Sequence, residues 1–318
     1  MKIAMIGSGA AGSVFAGYLK KGGAEDIWLV DLYKAHMDKI AKDGLLLKNP
    51  DGEFLLTGFH TAYSAETVGI ADIAILMVKA TQTDAAMKSA APCIGPDTVV
   101  VTLQNGLGND ENVKKFVPAD RIIFGCGNMG TELPEPGVCV AKPAAGNNMF
   151  FGPSEKSALT DAAGKYLEKC FAAGGLEPKY YDDVRPFIWK KATSNSGFNT
   201  VCAILRLTIG EVYEDPNGVS LVWDIWKEAA DVAEAMGIPG IWEYMQKEMP
   251  KIQAALHDYY PSMAQDMLMH ERQTEVTALT GAIADYGKKA GVATPVCDVL
   301  TRVVKAWEAN YAKQYYKK

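Results

Sequence analysis

The absences in this sequence narrow its class first. Its cysteines (Cys93, Cys126, Cys139, Cys170, Cys202 and Cys297) are scattered, with no Cys-x-x-Cys pair, so neither a zinc site nor a disulfide framework is spelled out. Thiols spaced this way suit a reducing, cytoplasmic setting. The 4 histidines are equally dispersed, and no metal site is expected. No basic patch dominates. With 32 Lys and Arg against 38 Asp and Glu, the net charge is −6, which argues against a nucleic-acid partner. Lys313, Lys317 and Lys318 make only a small, solvated basic tail. A long apolar run is missing too. The uncharged stretch between Lys2 and Lys20 is diluted by Gly7, Gly9, Gly12 and Gly17, so it reads as neither a signal segment nor a membrane span. No repeat, low-complexity tract or flexible linker breaks the chain.

What is present begins at the first residues. The chain has 318 residues, 48% hydrophobic and 22% charged, which is an ordinary globular composition with enough length for two domains. A short apolar strand, 2–6, runs directly into Gly7-Ser8-Gly9-Ala10-Ala11-Gly12, a Gly-x-Gly-x-x-Gly loop, and a helical pattern around Val14–Leu19 follows. Each glycine has a task in holding a dinucleotide. Gly7 lets the chain turn out of the strand, Gly9 clears room for a pyrophosphate, and Gly12 lets the helix pack close to the sheet. A second strand, 27–30, ends in Asp31, nineteen positions after Gly12. An acidic residue there suits the ribose 2′-hydroxyl of NAD(H) and repels the 2′-phosphate of NADP(H), which stands as the alternative cofactor.

The first half alternates short apolar runs with helical patterns, as βαβ units do. Further strands are expected at 73–78, 98–103 and 122–125. A hairpin turning at Asp51-Gly52 is expected within 44–59. Short strands at 138–141 and 148–151 suggest a meander at the sheet edge, followed by a helix over 160–173 and a strand near Tyr180. After Pro186 long helical patterns succeed one another at about 187–205, 218–236, 241–256, 262–290 and 295–313. The fold expected is α/β: a Rossmann-type doubly wound domain over 1–184 and an all-helical substrate and dimerisation domain over 185–318. With no linker between them, the second domain is expected to form one wall of a cleft. Trp223 and Trp226, three apart on an amphipathic helix, suit internal packing or a homodimer contact.

Polar residues collect where such a fold binds ligands. Lys79 and Asn105 each follow a strand at its carboxyl end. Lys191, Asn195 and Asn199 are spaced by four, so they share one face of the helix that opens the second half. That helix is rich in Asn, Ser, Thr and Gly, poor helix formers whose local conflict with the fold tends to mark a working site. Ser262 with Gln265 three residues on fits a capping box at the head of the 262–290 helix. Arg272 and Glu275 follow on the same expected helix, about three and a half turns along.

Together these segments resemble the ketopantoate reductase family. The residues that carry the likeness are Gly7–Gly12, Val78-Lys79-Ala80-x-Gln82 and Asn105-Gly106-Leu107-Gly108 in the first half. In the second half they are Trp189-x-Lys191-x-x-x-Asn195-x-x-x-Asn199, Pro261-Ser262-Met263-x-Gln265-Asp266 and Arg272-x-Thr274-Glu275. The resemblance implies hydride transfer from a nicotinamide to the ketone of a 2-oxo acid, giving a D-2-hydroxy acid. On that analogy Lys191 is the general acid, and Glu275 binds a substrate hydroxyl or orients the lysine. Asn105, Asn195 and Asn199 hold the substrate and Lys191, and Ser262 contacts the carboxylate. Lys79 sits near the cofactor ribose and nicotinamide.

Two departures bear on specificity. The family's Glu-Ile-Asp and following Asn-Gly are replaced by Glu275-Val276-Thr277-Ala278-Leu279-Thr280-Gly281. Asp31 stands where NADPH-using members favour a neutral or basic residue. The first bears on strict ketopantoate specificity, and Asp31 points toward the family's NAD-dependent relatives, the D-mandelate-type dehydrogenases of bulkier D-2-hydroxy acids. A dinucleotide sensor without turnover is a third reading, against which the Lys191–Asn195–Asn199 stripe argues. A β-hydroxy-acid dehydrogenase would carry a glycine-rich substrate loop that is not found here.

Overall fold

The computed structural model describes residues 1–146 and 148–314; Lys317 and Lys318 of the basic tail lie outside the described residues. The chain divides into two compact units, Met1–Gln104 with Asn109–Val184, and Asn105–Gly108 with Arg185–Lys318.

Among its described residues the first unit contains twelve strands: β1 (Ile3–Ile6), β2 (Ile27–Val30), β3 (Leu45–Asn49), β4 (Gly52–Leu56), β5 (His60–Ala62), β6 (Ile73–Leu76), β7 (Val99–Thr102), β8 (Ile122–Gly127), β9 (Met129–Glu135), β10 (Val138–Pro143), β11 (Met149–Pro153) and β12 (Pro178–Tyr180). Its helices are α1 (Ala10–Lys21), α2 (Lys34–Asp43), α3 (Thr83–Ala90), α4 (Asn109–Val113) and α5 (Ala158–Gly174). Eight strands form the main sheet in the order β12-β11-β8-β7-β6-β1-β2-β5. Strands β5 through β8 of that order are mutually parallel, so their carboxyl ends share one edge. The chain runs from β1 to β2 on one side and later returns to β6 on the other, which makes the β1 end a topological switch point. Residues alternate between two cores along the central strands. Ile3, Met5, Ile73, Ile75, Val99 and Val101 enter one, while Ala4, Ile6, Leu76 and Val100 enter the other. Burial on both faces explains why these strands read as unbroken apolar runs. This is a Rossmann-type α/β unit.

The hairpin forms as the Asp51-Gly52 turn predicts, with Asn49 opposite Gly52. The meander does not. Strands β9 and β10 leave the main sheet and build a separate sheet of order β4-β3-β10-β9, while β11 alone returns to pair antiparallel with β8. Leu45, Leu47, Cys139 and Ala141 of this second sheet pack into the same core as α1 and α5, and burial of that apolar face draws the strands away from the edge.

The second unit is all-helical: α6 (Arg185–Leu205), α7 (Ile209–Glu214), α8 (Pro216–Ala235), α9 (Ile241–Leu256), α10 (Ser262–Leu268), α11 (Thr280–Ala290) and α12 (Pro295–Glu308). Trp226 is fully buried edge-on to Phe198, and Trp223 stands edge-on to both Trp226 and Trp242. Both tryptophans therefore pack within this unit. A Cβ on Gly197 would fall on the Trp226 indole, so the glycine in α6 permits the close approach of α8. The expected 262–290 helix is broken. Met269–Glu275 is irregular, and a single 3-10 turn, Val276–Ala278, separates α10 from α11. Among the described residues no helix is long and apolar enough to cross a membrane.

Candidate active site

In the sheet unit the candidate groups gather at the carboxyl ends of β1, β2 and β6. Gly7 turns out of β1 at φ +88°, and a Cβ on it would press against Val78 and the Met77 backbone. At Gly12 a Cβ would fall on the Gly7 carbonyl, so the first turn of α1 can close on the loop only without a side chain. Gly9 differs. It is the N-cap of α1, no side chain caps the helix, and nothing lies within 4 Å of where its Cβ would be. The first-turn N–H groups of a helix lack intrahelical acceptors. Open space in front of uncapped donors is what a pyrophosphate requires, so Gly7–Gly12 fit a dinucleotide.

Asp31 follows β2 and is tied to that loop. Its Oδ2 accepts from the Ser8 N–H at 2.7 Å, and its Oδ1 accepts from the Tyr33 N–H at 2.8 Å. Each oxygen keeps a lone pair for a ribose hydroxyl. Lys79 is half-buried three residues beyond the end of β6 at Leu76, a strand two residues shorter than expected, and the Met77 N–H donates to the Ile6 carbonyl at 2.8 Å. A brace invisible to motif reading supports it. Buried Gln104 donates from Nε2 to the Val78 carbonyl at 2.7 Å and accepts the Thr102 hydroxyl at 2.7 Å. It thereby fixes the β6 end to the β7 end. The signal available in the sequence was an amide placed directly between an apolar strand and Asn105-Gly106.

In the helical unit Lys191, Asn195 and Asn199 are all half-buried on α6. The weak helix formers of that helix divide between two faces. Asn195 and Asn199 share the Lys191 face, whereas Thr193, Ser196, Gly197 and Thr200 are buried. Only part of the local conflict thus marks the candidate site; the rest serves packing. Helix α10 packs against α6, and Ser262 is exposed at its first turn. The capping box expected there is absent. Pro261 is the N-cap, and the Gln265 amide donates instead to the Tyr260 carbonyl at 2.8 Å. Proline fixes the entry angle, and no N-capping hydroxyl is used at this end.

Glu275, expected on a helix, lies instead at the end of the irregular segment, as N-cap of the 276–278 turn. Several bonds shape this segment. Arg272 Nε donates to buried Asp266 at 2.6 Å, and the Arg272 N–H meets the Asp266 carbonyl at 3.1 Å. The Thr274 N–H donates to Glu308 Oε1 on α12 at 2.7 Å, and Thr274 Oγ1 accepts the Val276 N–H at 3.2 Å. Asn105–Gly108 belongs to this unit by packing. Leu107 N–H donates to the Ala278 carbonyl at 2.8 Å, and a Cβ on Gly106, at φ +95°, would strike Ala278. One short turn therefore holds Glu275 at its start and the Asn105 loop at its end. Thr280, where the family pattern has Asn, is fully buried and shares a 2.8 Å hydrogen bond with Thr301 of α12. Thr277 is exposed.

Comparison with known proteins agrees with both halves. Residues 3–155 match the family model described as ketopantoate reductase PanE/ApbA, and residues 183–308 match its C-terminal counterpart. A 2-dehydropantoate 2-reductase of Streptococcus pyogenes serotype M3 is 30% identical over 97% of this chain and 98% of its own. One from Aquifex aeolicus is 30% identical over 97% of each chain. A ternary structure of D-mandelate dehydrogenase with NADH and anilino(oxo)acetate is 31% identical, with a TM-score of 0.85 over 97% of this chain and 98% of that one.

Proposed function

The chain belongs to the ketopantoate reductase family, and we propose that it works in the manner of a 2-dehydropantoate 2-reductase with Lys191 as general acid. At the coarser level it is an oxidoreductase that acts on a CH–OH group, reduces a 2-oxo acid and uses a nicotinamide dinucleotide. The observation that carries the finer reading is the half-buried Lys191–Asn195–Asn199 face of α6, in the region matched by the C-terminal family model.

Gly7–Gly12 would hold the pyrophosphate, Asp31 the ribose and Lys79 the nicotinamide end. When bound, the dinucleotide supplies the hydride. Lys191 Nζ donates its proton to the carbonyl oxygen of the substrate as that oxygen gains charge, and the ketone becomes a D-configured alcohol. Asn105, Asn195 and Asn199 donate amide hydrogen bonds that fix the substrate against Lys191, which restricts it to reactive geometry. Ser262 hydrogen-bonds the carboxylate. Glu275 accepts from a substrate hydroxyl or from Lys191. Residues 1–184 would thus serve the cofactor and 185–318 the substrate, with Asn105 serving both.

Asp31 favours a second reading, an NAD-dependent D-2-hydroxy-acid dehydrogenase for branched or aromatic substrates. Its carboxylate is fixed on the loop by the Ser8 N–H, where a 2′-phosphate would meet like charge. Initial rates of reduced-cofactor oxidation separate the two, with NADH and NADPH each tested against ketopantoate, phenylglyoxylate and 2-oxoisovalerate. NADH is expected to be the better donor. Ketopantoate as best acceptor supports the first reading, and a bulkier acid supports the second. Binding of NADH with no turnover of any acid would replace both with a sensor. The buried cysteines, none of them in a disulfide, support a cytoplasmic setting, and a homodimer, the commonest oligomer, is the state to expect by light scattering.

A further inference from the structure

Ser8, at the centre of the glycine loop, is fully buried and held on both sides of its backbone. Its N–H donates to Asp31 at 2.7 Å. Its carbonyl accepts from the Ser13 hydroxyl at 2.8 Å. Ser13 is itself buried and lies 2.8 Å from Nε2 of His36, a fully buried ring on α2. On the far side of that ring, Nδ1 accepts from the backbone N–H of Gly137, in the β9–β10 turn, at 2.9 Å. An amide N–H can only donate, so Nδ1 is unprotonated and the ring proton sits on Nε2. Nε2–H then donates to Ser13, which leaves the Ser13 proton for the Ser8 carbonyl. Every polarity in the chain is fixed by the first.

We propose that His36 is a positioning residue for the dinucleotide: the relay from Gly137 through His36 and Ser13 to Ser8 sets the peptide plane at Ser8–Gly9 and so aims the N–H groups of the loop at the pyrophosphate. The second sheet acquires a role by this route, because its β9–β10 turn supplies the donor that orients the ring. The inference rests on the nicotinamide dinucleotide alone and is independent of which acid is reduced.

The ring's surroundings keep it neutral. Burial pushes its pKa below the ordinary 6.5, against Asp31 and the Ser8 carbonyl, which pull upward. The Tyr33 ring stacks on it with the ring centroids 5.9 Å apart. On the Gly137 side the stem of Lys39 passes the turn, and its amine is paired with Asp43 at 2.9 Å and also feels Glu135. A proton added at Nδ1 would set donor against donor at Gly137 and break the relay.

The test is the affinity for NADH and for NADPH without substrate, by fluorescence titration from about pH 5 to about pH 8. The proteins are wild type, His36→Gln, Ser13→Ala and the double variant. Wild type is expected to lose affinity as the pH falls. His36→Gln, whose amide can still donate to Ser13 but does not titrate, is expected to bind independently of pH. Ser13→Ala is expected to weaken binding about tenfold, the scale of one well-placed hydrogen bond. The double variant is expected to bind as weakly as Ser13→Ala alone and without pH dependence, because residue 36 reaches the Ser8 carbonyl only through the Ser13 hydroxyl. A folded His36→Gln that keeps the wild-type affinity and pH profile overturns the proposal, as does a double variant that binds distinctly more weakly than Ser13→Ala alone. If His36→Gln fails to fold, Ser13→Ala decides the matter: unchanged affinity overturns the proposal. Failure of every 2-oxo acid to turn over would leave these binding results intact.

Discussion

In the sheet unit the groups offered to a ligand are mostly backbone, held by buried hydrogen bonds: the glycine loop, clamped at Ser8 from both sides. In the helical unit the candidate groups are side chains: Lys191, Asn195 and Asn199 on α6, Ser262 on α10, and Glu275 at the end of an irregular segment. The contrast separates two kinds of damage. A side chain added to the loop should remove cofactor binding, whereas a side chain removed from the helical unit should remove chemistry and leave binding in place. The same contrast governs pH. His36 in the sheet unit is buried and held neutral, while His257 in the helical unit is raised above its ordinary 6.5 by Glu214 first and Asp258 second.

The largest effect that would break this comparison is expected at Gly12. Gly12→Ala places a Cβ on the Gly7 carbonyl, so it should lower both thermal stability and NADH affinity, with about 1–3 kcal/mol of overpacking strain. Gly9→Val sharpens the point, because that site is open. Its melting temperature should stay near wild type while NADH affinity falls about a hundredfold, or about 2.7 kcal/mol. A Gly9→Val protein that binds NADH normally would remove the pyrophosphate from this loop.

A smaller effect is expected from Glu308→Ala, which frees the Thr274 N–H and loosens the approach to Glu275. A hydrogen bond to a charged acceptor is worth about 1.5–3 kcal/mol, so kcat should fall roughly tenfold or more with NADH affinity unchanged. Loss of NADH affinity instead would show that α12 acts on the cofactor.

The smallest effects concern the histidines, and their signs are opposite. The folded pKa of His257 is raised, so its contribution is complete below about 6.5 and fades as pH rises through the folded value. The folded pKa of His36 is lowered, so its contribution is present above about 6.5 and fades as pH falls through the folded value. In urea melts at several pH values, His257→Gln should flatten the alkaline side of the stability profile and His36→Gln the acid side. Matching profiles for the two variants would contradict the assignment.

Much of the sheet unit was legible because its signals are local. Apolar runs mark doubly buried strands, and glycine marks each turn that needs it; β2, Ile27–Val30, falls where the sequence places it. The second sheet was not legible as such, since which strands leave the main sheet depends on burial against α1 and α5. In the helical unit the break after α10 escaped detection for a stated reason. Met269–Gln273 is composed of helix-compatible residues, and the left-handed residue is Glu271, at φ +48°, with no glycine to announce it. Ties from Asp266 and Glu308 impose the break, and Glu308 is distant in sequence from the Thr274 N–H that it holds. Helix α7 was missed although its signal was present: Thr208 and Glu211 form a reciprocal capping box. At the candidate site the residue types were readable from spacing, but the braces, Gln104, Glu308 and the His36–Ser13 pair, were not.

The division of labour is tested most directly on one variant, Lys191→Ala, by measuring NADH affinity and turnover on the same preparation. The account predicts affinity within about twofold of wild type, with turnover lower by a hundredfold or more, the scale for losing a positioned general acid. A folded Lys191→Ala protein that turns over normally, or one whose NADH affinity falls in step with its rate, would contradict it.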